Sequence, residues 1–147
     1  MNPKRVRLPD DLERNCGYLL SHLGFRSRSR FTEAIARLGI RPAHYGILSV
    51  LMESGPITQA ELAETLRLDS GWLVGLLDQL EAEGLVVRAA DPVDRRRHAV
   101  SLTPAGKRRR QQAARIGRRV EDELLQSLEP EEREELRRLL RRLWLQH

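Results

Sequence analysis

The stretch ITQAELAETLRLDSGWLVGLLDQLEAEGLVVRAADPVDRRRHAVSLTPAG, Ile57 to Gly106, holds two short capped helix patterns, a hairpin pattern and the start of a third helix with almost nothing between them. Thr58-Gln59-Ala60-Glu61 has the form of a capping box: the hydroxyl and the carboxylate each satisfy a free backbone N–H at the start of a helix that runs through Leu66. Asp69 or Ser70 caps the next helix, which carries Leu73, Leu76, Leu77 and Leu80 at helical spacing and is closed by Gly84. Two short helices in immediate succession predict a helix-turn-helix. Beyond Gly84 the period changes. Leu85-Val86-Val87-Arg88 reads as a strand, Asp91-Pro92-Val93-Asp94 as a turn and His98-Ala99-Val100-Ser101-Leu102 as a returning strand, which places Arg95, Arg96 and Arg97 at or near a hairpin tip. Thr103 then caps a helix with Pro104 at its first position.

Outward from this segment the chain is helical. Leu12, Cys16, Leu19, Leu20 and Leu23 recur at helical spacing from Leu8, in a helix that continues or restarts through Phe31, Ile35 and Leu38 until Gly39 stops it. Another helix starts near Pro42 and ends at Gly55-Pro56. The helix after Thr103 is expected to extend through Ile116, Val120, Leu124 and Leu128, and Glu129-Pro130-Glu131-Glu132 opens a last one with Leu136, Leu139, Leu140 and Leu143 on one face. A chain of 147 residues has little core on which to bury both terminal stripes, so pairing with a second copy is the natural outlet.

Charge is unevenly spread. The formal total is +5, but residues 88–119 alone carry +9 while residues 31–87 carry −5. Positive charge concentrated in one short segment is the footprint of a polyanion-binding surface. No long apolar run appears and Met1-Asn2-Pro3-Lys4-Arg5 is not followed by a signal core, which places the chain in the cytoplasm with no membrane partner. One cysteine gives neither an internal disulfide nor a zinc spacing. No nucleophile–base pair, carboxylate pair or phosphate-cradling glycine loop stands out, which argues against an enzyme and implies no cofactor.

The run Ile40 to Ala113 resembles the MarR (multiple antibiotic resistance regulator) family. The resemblance is carried by Arg41-Pro42-Ala43-His44-Tyr45, by Gly55-Pro56-Ile57-Thr58-Gln59-Ala60-Glu61-Leu62-Ala63 and by Leu80-Glu81-Ala82-Glu83-Gly84-Leu85-Val86-Val87-Arg88. Above all it is carried by Asp91-Pro92-Val93-Asp94-Arg95-Arg96-Arg97 joined to Leu102-Thr103-Pro104-Ala105-Gly106. It implies a mainly α (α+β) fold in one domain: a winged helix-turn-helix over 40–103 with a two-stranded β wing, flanked by dimerisation helices over 8–38 and 104–147. It implies a homodimeric DNA-binding transcriptional regulator, a repressor on a palindromic operator in double-stranded DNA, released by a small aromatic or phenolic effector.

On this reading Arg96 enters the minor groove, Asp94 fixes its guanidinium, and Arg95 and Arg97 contact phosphates. The recognition helix departs from the family pattern because Asp69-Ser70-Gly71-Trp72-Leu73-Val74-Gly75 has no Arg or Lys. DNA contacts are then left to Ser70, Gly71, Trp72 and Val74, with Thr58 and Gln59 at the preceding helix start; Trp72 reads equally as a packing residue. Tyr18, His22, His44 and Tyr45 are candidates to line the effector pocket, and neither histidine has an acid at metal-ligand spacing. Cys16 with Leu68-Asp69-Ser70-Gly71 is similar to the family's organic-peroxide-sensing branch, but Arg30 and Arg41 lie near the places of the tyrosines that would serve the thiol. A small residue on the packed stripe explains Cys16 better, so a thiol sensor stays the alternative, beside a winged-helix adaptor for proteins.

Overall fold

The capping residues set the element boundaries. The computed structural model describes residues 7–91 and 93–146. It runs α1 (Asp10–Glu13), α2 (Cys16–Ile35), a 3-10 turn (Ala36–Leu38), α3 (Pro42–Ser54), β1 (Ile57–Thr58), α4 (Gln59–Leu66), α5 (Ser70–Ala82), β2 (Val86–Ala90), β3 (His98–Leu102), α6 (Pro104–Leu124) and α7 (Pro130–Trp144). Pro92, part of the expected turn, and the charged start Met1 to Arg5 lie outside the described residues.

Thr58, Asp69 and Thr103 each accept a backbone N–H from three residues on, at 3.2, 3.0 and 3.0 Å. Such caps stabilise a helix start by about 1 kcal/mol each. Of the two candidates for α5, Asp69 is the cap. The amino-terminal period does not give one helix from Leu8: α1 is a single turn, and α2 restarts at Cys16 because Asn15 is extended and its side chain accepts the Tyr18 N–H at 2.9 Å. At the other end α6 stops at Leu124, short of Leu128, whose N–H closes a turn on the Leu125 carbonyl before Glu129 opens α7.

The wing is the expected hairpin, β2 against β3 with Arg88 opposite Val100 and Ala90 opposite His98. It belongs, however, to a three-stranded antiparallel sheet in the order β1-β3-β2, because Ile57 and Thr58 pair with Val100 and Ala99 before α4 begins. The core lies between this sheet and helices α3 to α5, where Ile47, Leu48, Leu62, Leu76, Leu77, Val86 and Val100 are buried. Each such side chain contributes about 1.5–3 kcal/mol by leaving water.

The Leu-Thr-Pro-Ala-Gly run welds α6 to the wing. Thr103 donates its N–H to the Leu85 carbonyl at 3.1 Å and its hydroxyl to the Gly84 carbonyl at 2.7 Å. A Cβ on Gly106 would overlap the Leu85 carbonyl oxygen and come within 2.7 Å of the Leu102 side chain, so only glycine lets the helix start this close to the strands.

Helices α2 and α6 lie against each other through Phe31, Ile35, Ala113 and Ile116. Their outer surfaces and α7 leave apolar side chains uncovered: Leu20 and Leu23 on α2, and Leu139, Leu140 and Leu143 on α7, are each 41–47% exposed. Apolar patches left exposed on a protein surface are a common mark of interaction sites. No helix among the described residues is long and apolar enough to cross a membrane.

Candidate nucleic-acid interface

The wing tip is shaped by its two aspartates. The Asp91 carboxylate accepts the Val93 N–H at 2.8 Å and that of Asp94 accepts the Arg96 N–H at 3.0 Å, while the Asp91 N–H donates to the Arg97 carbonyl at 2.6 Å. This corrects the expectation for Asp94: its carboxylate grips the main chain of Arg96 rather than the guanidinium, because an aspartate two residues before a turn amide is at the reach of an Asx turn. Arg95, Arg96 and Arg97 are all exposed, and none is in an ion pair among the described residues. Three cations thus project from a tip whose acids are held by backbone N–H groups.

Helix α5 presents Ser70, Gly71, Val74, Gly75 and Asp78 outward, a face with no cation. Trp72 is half exposed and sits off this face, beside Leu68, Pro42 and Arg28 in a groove between α5, α3 and α2. Thr58 is buried, and its hydroxyl is committed to the cap: it donates to Glu61 at 2.7 Å and accepts the Glu61 N–H. Those bonds to Thr58 hold the Glu61 carboxyl below its ordinary pKa. Gln59, at the first position of α4, is half-buried and lines a hollow with Arg88, Arg97 and His98 at the root of the wing.

Two arrangements were not legible in the sequence. The first is a clamp on Arg88 of β2. Its Nη2 lies 2.6 Å from Glu81 and 2.5 Å from Asp78, its Nε 3.1 Å from Glu81, and its backbone N–H donates to Glu81 at 3.2 Å. The guanidinium draws the Glu81 carboxyl below its usual pKa. Arg88, counted with the wing cations, is therefore neutralised by the recognition helix.

The second is a network at the start of α3. His44 is buried; its Nδ1 accepts the Arg41 N–H at 3.0 Å, so its Nε2 carries the proton and donates to Gln79 Oε1 at 2.8 Å, which also accepts from the Arg41 guanidinium at 3.2 Å. Burial lowers the pKa of His44 from 6.5, aided by the Arg41 charge and opposed by the Gln79 bond and by Glu83. A folded-state pKa below the unfolded value means that the neutral ring is favoured on folding. The contribution is full above pH 6.5 and is lost as pH falls below that value through the lower folded pKa. Urea denaturation from pH 8 to 5 should show this loss in the wild type and a flatter profile in His44→Asn; parallel profiles would mean that His44 is not the titrating group.

A family model described as MarR family matches residues 38–97, the segment from the α3 network to the wing tip. The multiple antibiotic resistance protein MarR of Salmonella typhimurium is 32% identical over 110 residues, which cover 74% of this chain and 76% of that one. The chain belongs to the MarR family. It is accordingly a DNA-binding transcriptional regulator. Among solved structures, a MarR variant from E. coli complexed with operator DNA superposes with a TM-score of 0.76 at 29% identity, covering 86% of this chain and 91% of the other. CouR from Rhodococcus jostii RHA1, bound to p-coumaroyl-CoA, superposes with a TM-score of 0.80 at 29% identity, covering 92% and 95%.

In this MarR-family chain the four side chains considered for an effector do not meet in one cavity. Tyr18 and His22 stack on each other along α2 with ring centroids 4.3 Å apart, His44 is enclosed in its network, and Tyr45 packs edge-on to Phe31 with the Arg110 guanidinium over its ring. The cavity between the terminal helices, ≈ 580 Å³, is lined instead by Phe31, Val120, Leu124, Leu136 and Leu140, with arginines such as Arg28 and Arg141 among its lining. Cys16 is exposed at the first position of α2, as are Leu19, Leu20 and Leu23 of the same helix, so it is not packed within the single chain.

Proposed function

We propose that two copies of this chain, joined through helices within 8–38 and 104–147, repress transcription by occupying a palindromic operator. The observation that carries the reading is the pairing of a hairpin tip whose three arginines make no ion pair among the described residues with uncovered apolar stripes on the terminal helices. One supplies a DNA contact; the other supplies the two-fold symmetry that a palindrome requires. Arg96 enters the minor groove, Arg95 and Arg97 bind phosphates, and Ser70, Gly71 and Val74 face the major groove with Gln59 beside the backbone. A regulator of this kind acts by binding rather than by catalysis.

Release by a small effector is supported by the cavity between α2, α6 and α7, whose apolar lining and guanidiniums suit an aromatic acid or a larger anionic aromatic ligand. The CouR complex with p-coumaroyl-CoA supports that class. Such a ligand would bias the spacing of the two wings through the terminal helices.

The test is a gel-shift titration of the purified protein against duplex from upstream of its own gene and against random duplex, at low and high salt, with the mass measured by light scattering. The expected result is a dimer that binds upstream DNA more tightly than random duplex and loosens steeply with salt. A dimer that ignores DNA even at low salt would replace this reading with that of a protein adaptor.

A further inference from the structure

The recognition helix and the wing are tied together by one side chain. Arg88 stands at the root of the wing, opposite Val100, and reaches two carboxylates one turn apart on α5, Asp78 and Glu81. The bond from its own backbone N–H to Glu81 makes the tie one of main chain as well as of side chain. Its side chain is only 22% exposed, and its Nε and Nη2 are both taken up by the two acids, so the charge is spent on α5 rather than offered to a phosphate. Meanwhile the outward face of α5 that precedes the clamp, Ser70, Gly71, Val74 and Gly75, offers a single hydroxyl and no cation with which to discriminate bases.

Given the proposed function above, we infer that Arg88 is a positioning residue for sequence preference: it locks the wing at a fixed angle to α5, so that the protein selects duplexes whose minor groove narrows under Arg96, as in flanking A·T tracts. A wing free to swing would find a groove beside almost any site. A wing held by Arg88 meets a narrow, strongly negative groove at one fixed distance from the major-groove contact, or loses the contact of Arg96. Preference then resides in the shape of base pairs that α5 never touches.

The experiment compares two duplexes that share the palindrome selected in vitro by the wild-type dimer and differ only beneath the wings, one with A·T tracts and one with G·C pairs. Binding is read by fluorescence anisotropy at one salt concentration. Wild type is expected to prefer the A·T flanks about tenfold. Arg88→Ala is expected to bring that ratio close to one while binding of random duplex is retained. Arg88→Lys keeps the charge but cannot fork between two carboxylates, and Asp78→Asn removes one arm while leaving Glu81, so each should give an intermediate ratio. Variants that bind both duplexes more weakly with the ratio preserved would show a merely structural role and overturn the inference. So would a wild type indifferent to the flanks, which leaves the operator-binding reading standing, whereas a wild type that binds no duplex at low salt would remove both.

Discussion

The double substitution Leu139→Glu and Leu143→Glu is expected to give a folded monomer whose operator affinity is lower by about two to four orders of magnitude. These two leucines lie one turn apart on α7, 42% and 47% exposed, and belong to no buried cluster of the chain. In a monomer, glutamates there would face water at little cost. In a dimer they would place charges in an apolar interface, which is expensive unless they are paired. The large effect on binding follows from geometry: with two half-sites about 34 Å apart, the second winged module binds at the high effective concentration that the first has created. A single module has little to offer, since its α5 face has no cation and its wing carries only three. Light scattering and anisotropy on the same sample check both parts. A variant that stays dimeric would move the interface away from α7, and a monomer that binds at wild-type strength would break the link between symmetry and recognition.

Much of the winged module is readable because its boundaries are set by local chemistry. Thr58, Asp69 and Thr103 act on the N–H three residues ahead, and Gly39 and Gly84 adopt the left-handed conformation that ends a helix. What escapes is whatever depends on distant residues or on competition between local signals. Asn15 hides its cap inside an apolar period, so the break before α2 is invisible to periodicity. The pair Ile57-Thr58 is too short to carry an alternation, and its strand exists only because β3 folds back beside it. Arg88 shows the limit of counting charge along a chain: its neutralising acids, Asp78 and Glu81, lie on the other side of Gly84 and in a segment of opposite net charge. His44 looks like a pocket side chain in the sequence and is a satisfied buried one in the fold, because Gln79, thirty-five residues away, takes its second nitrogen.

The wing gives the second large effect. Replacing Arg95, Arg96 and Arg97 together by alanine should make the slope of log affinity against log salt shallower by about 3, one counterion per lost contact. With about 1–3 kcal/mol expected for an arginine that makes a specific groove contact, Arg96→Ala alone should account for roughly a tenfold to hundredfold loss. These values are to be measured by anisotropy across a salt series, with the dimer confirmed by light scattering. The three side chains make no ion pair among the described residues, and the turn is held by Asp91 and Asp94 through main-chain N–H groups, so alanine should not disturb the hairpin itself. That separation distinguishes the tip from its root. Loss of the tip should lower affinity for every duplex and flatten the salt dependence, whereas loss of the Arg88 clamp should leave the salt slope nearly intact and erase the choice between duplexes. An unchanged slope in the triple variant would mean that the positive charge of residues 88–119 acts elsewhere, on α6, where Lys107 and Arg108 stand exposed one turn beyond the wing.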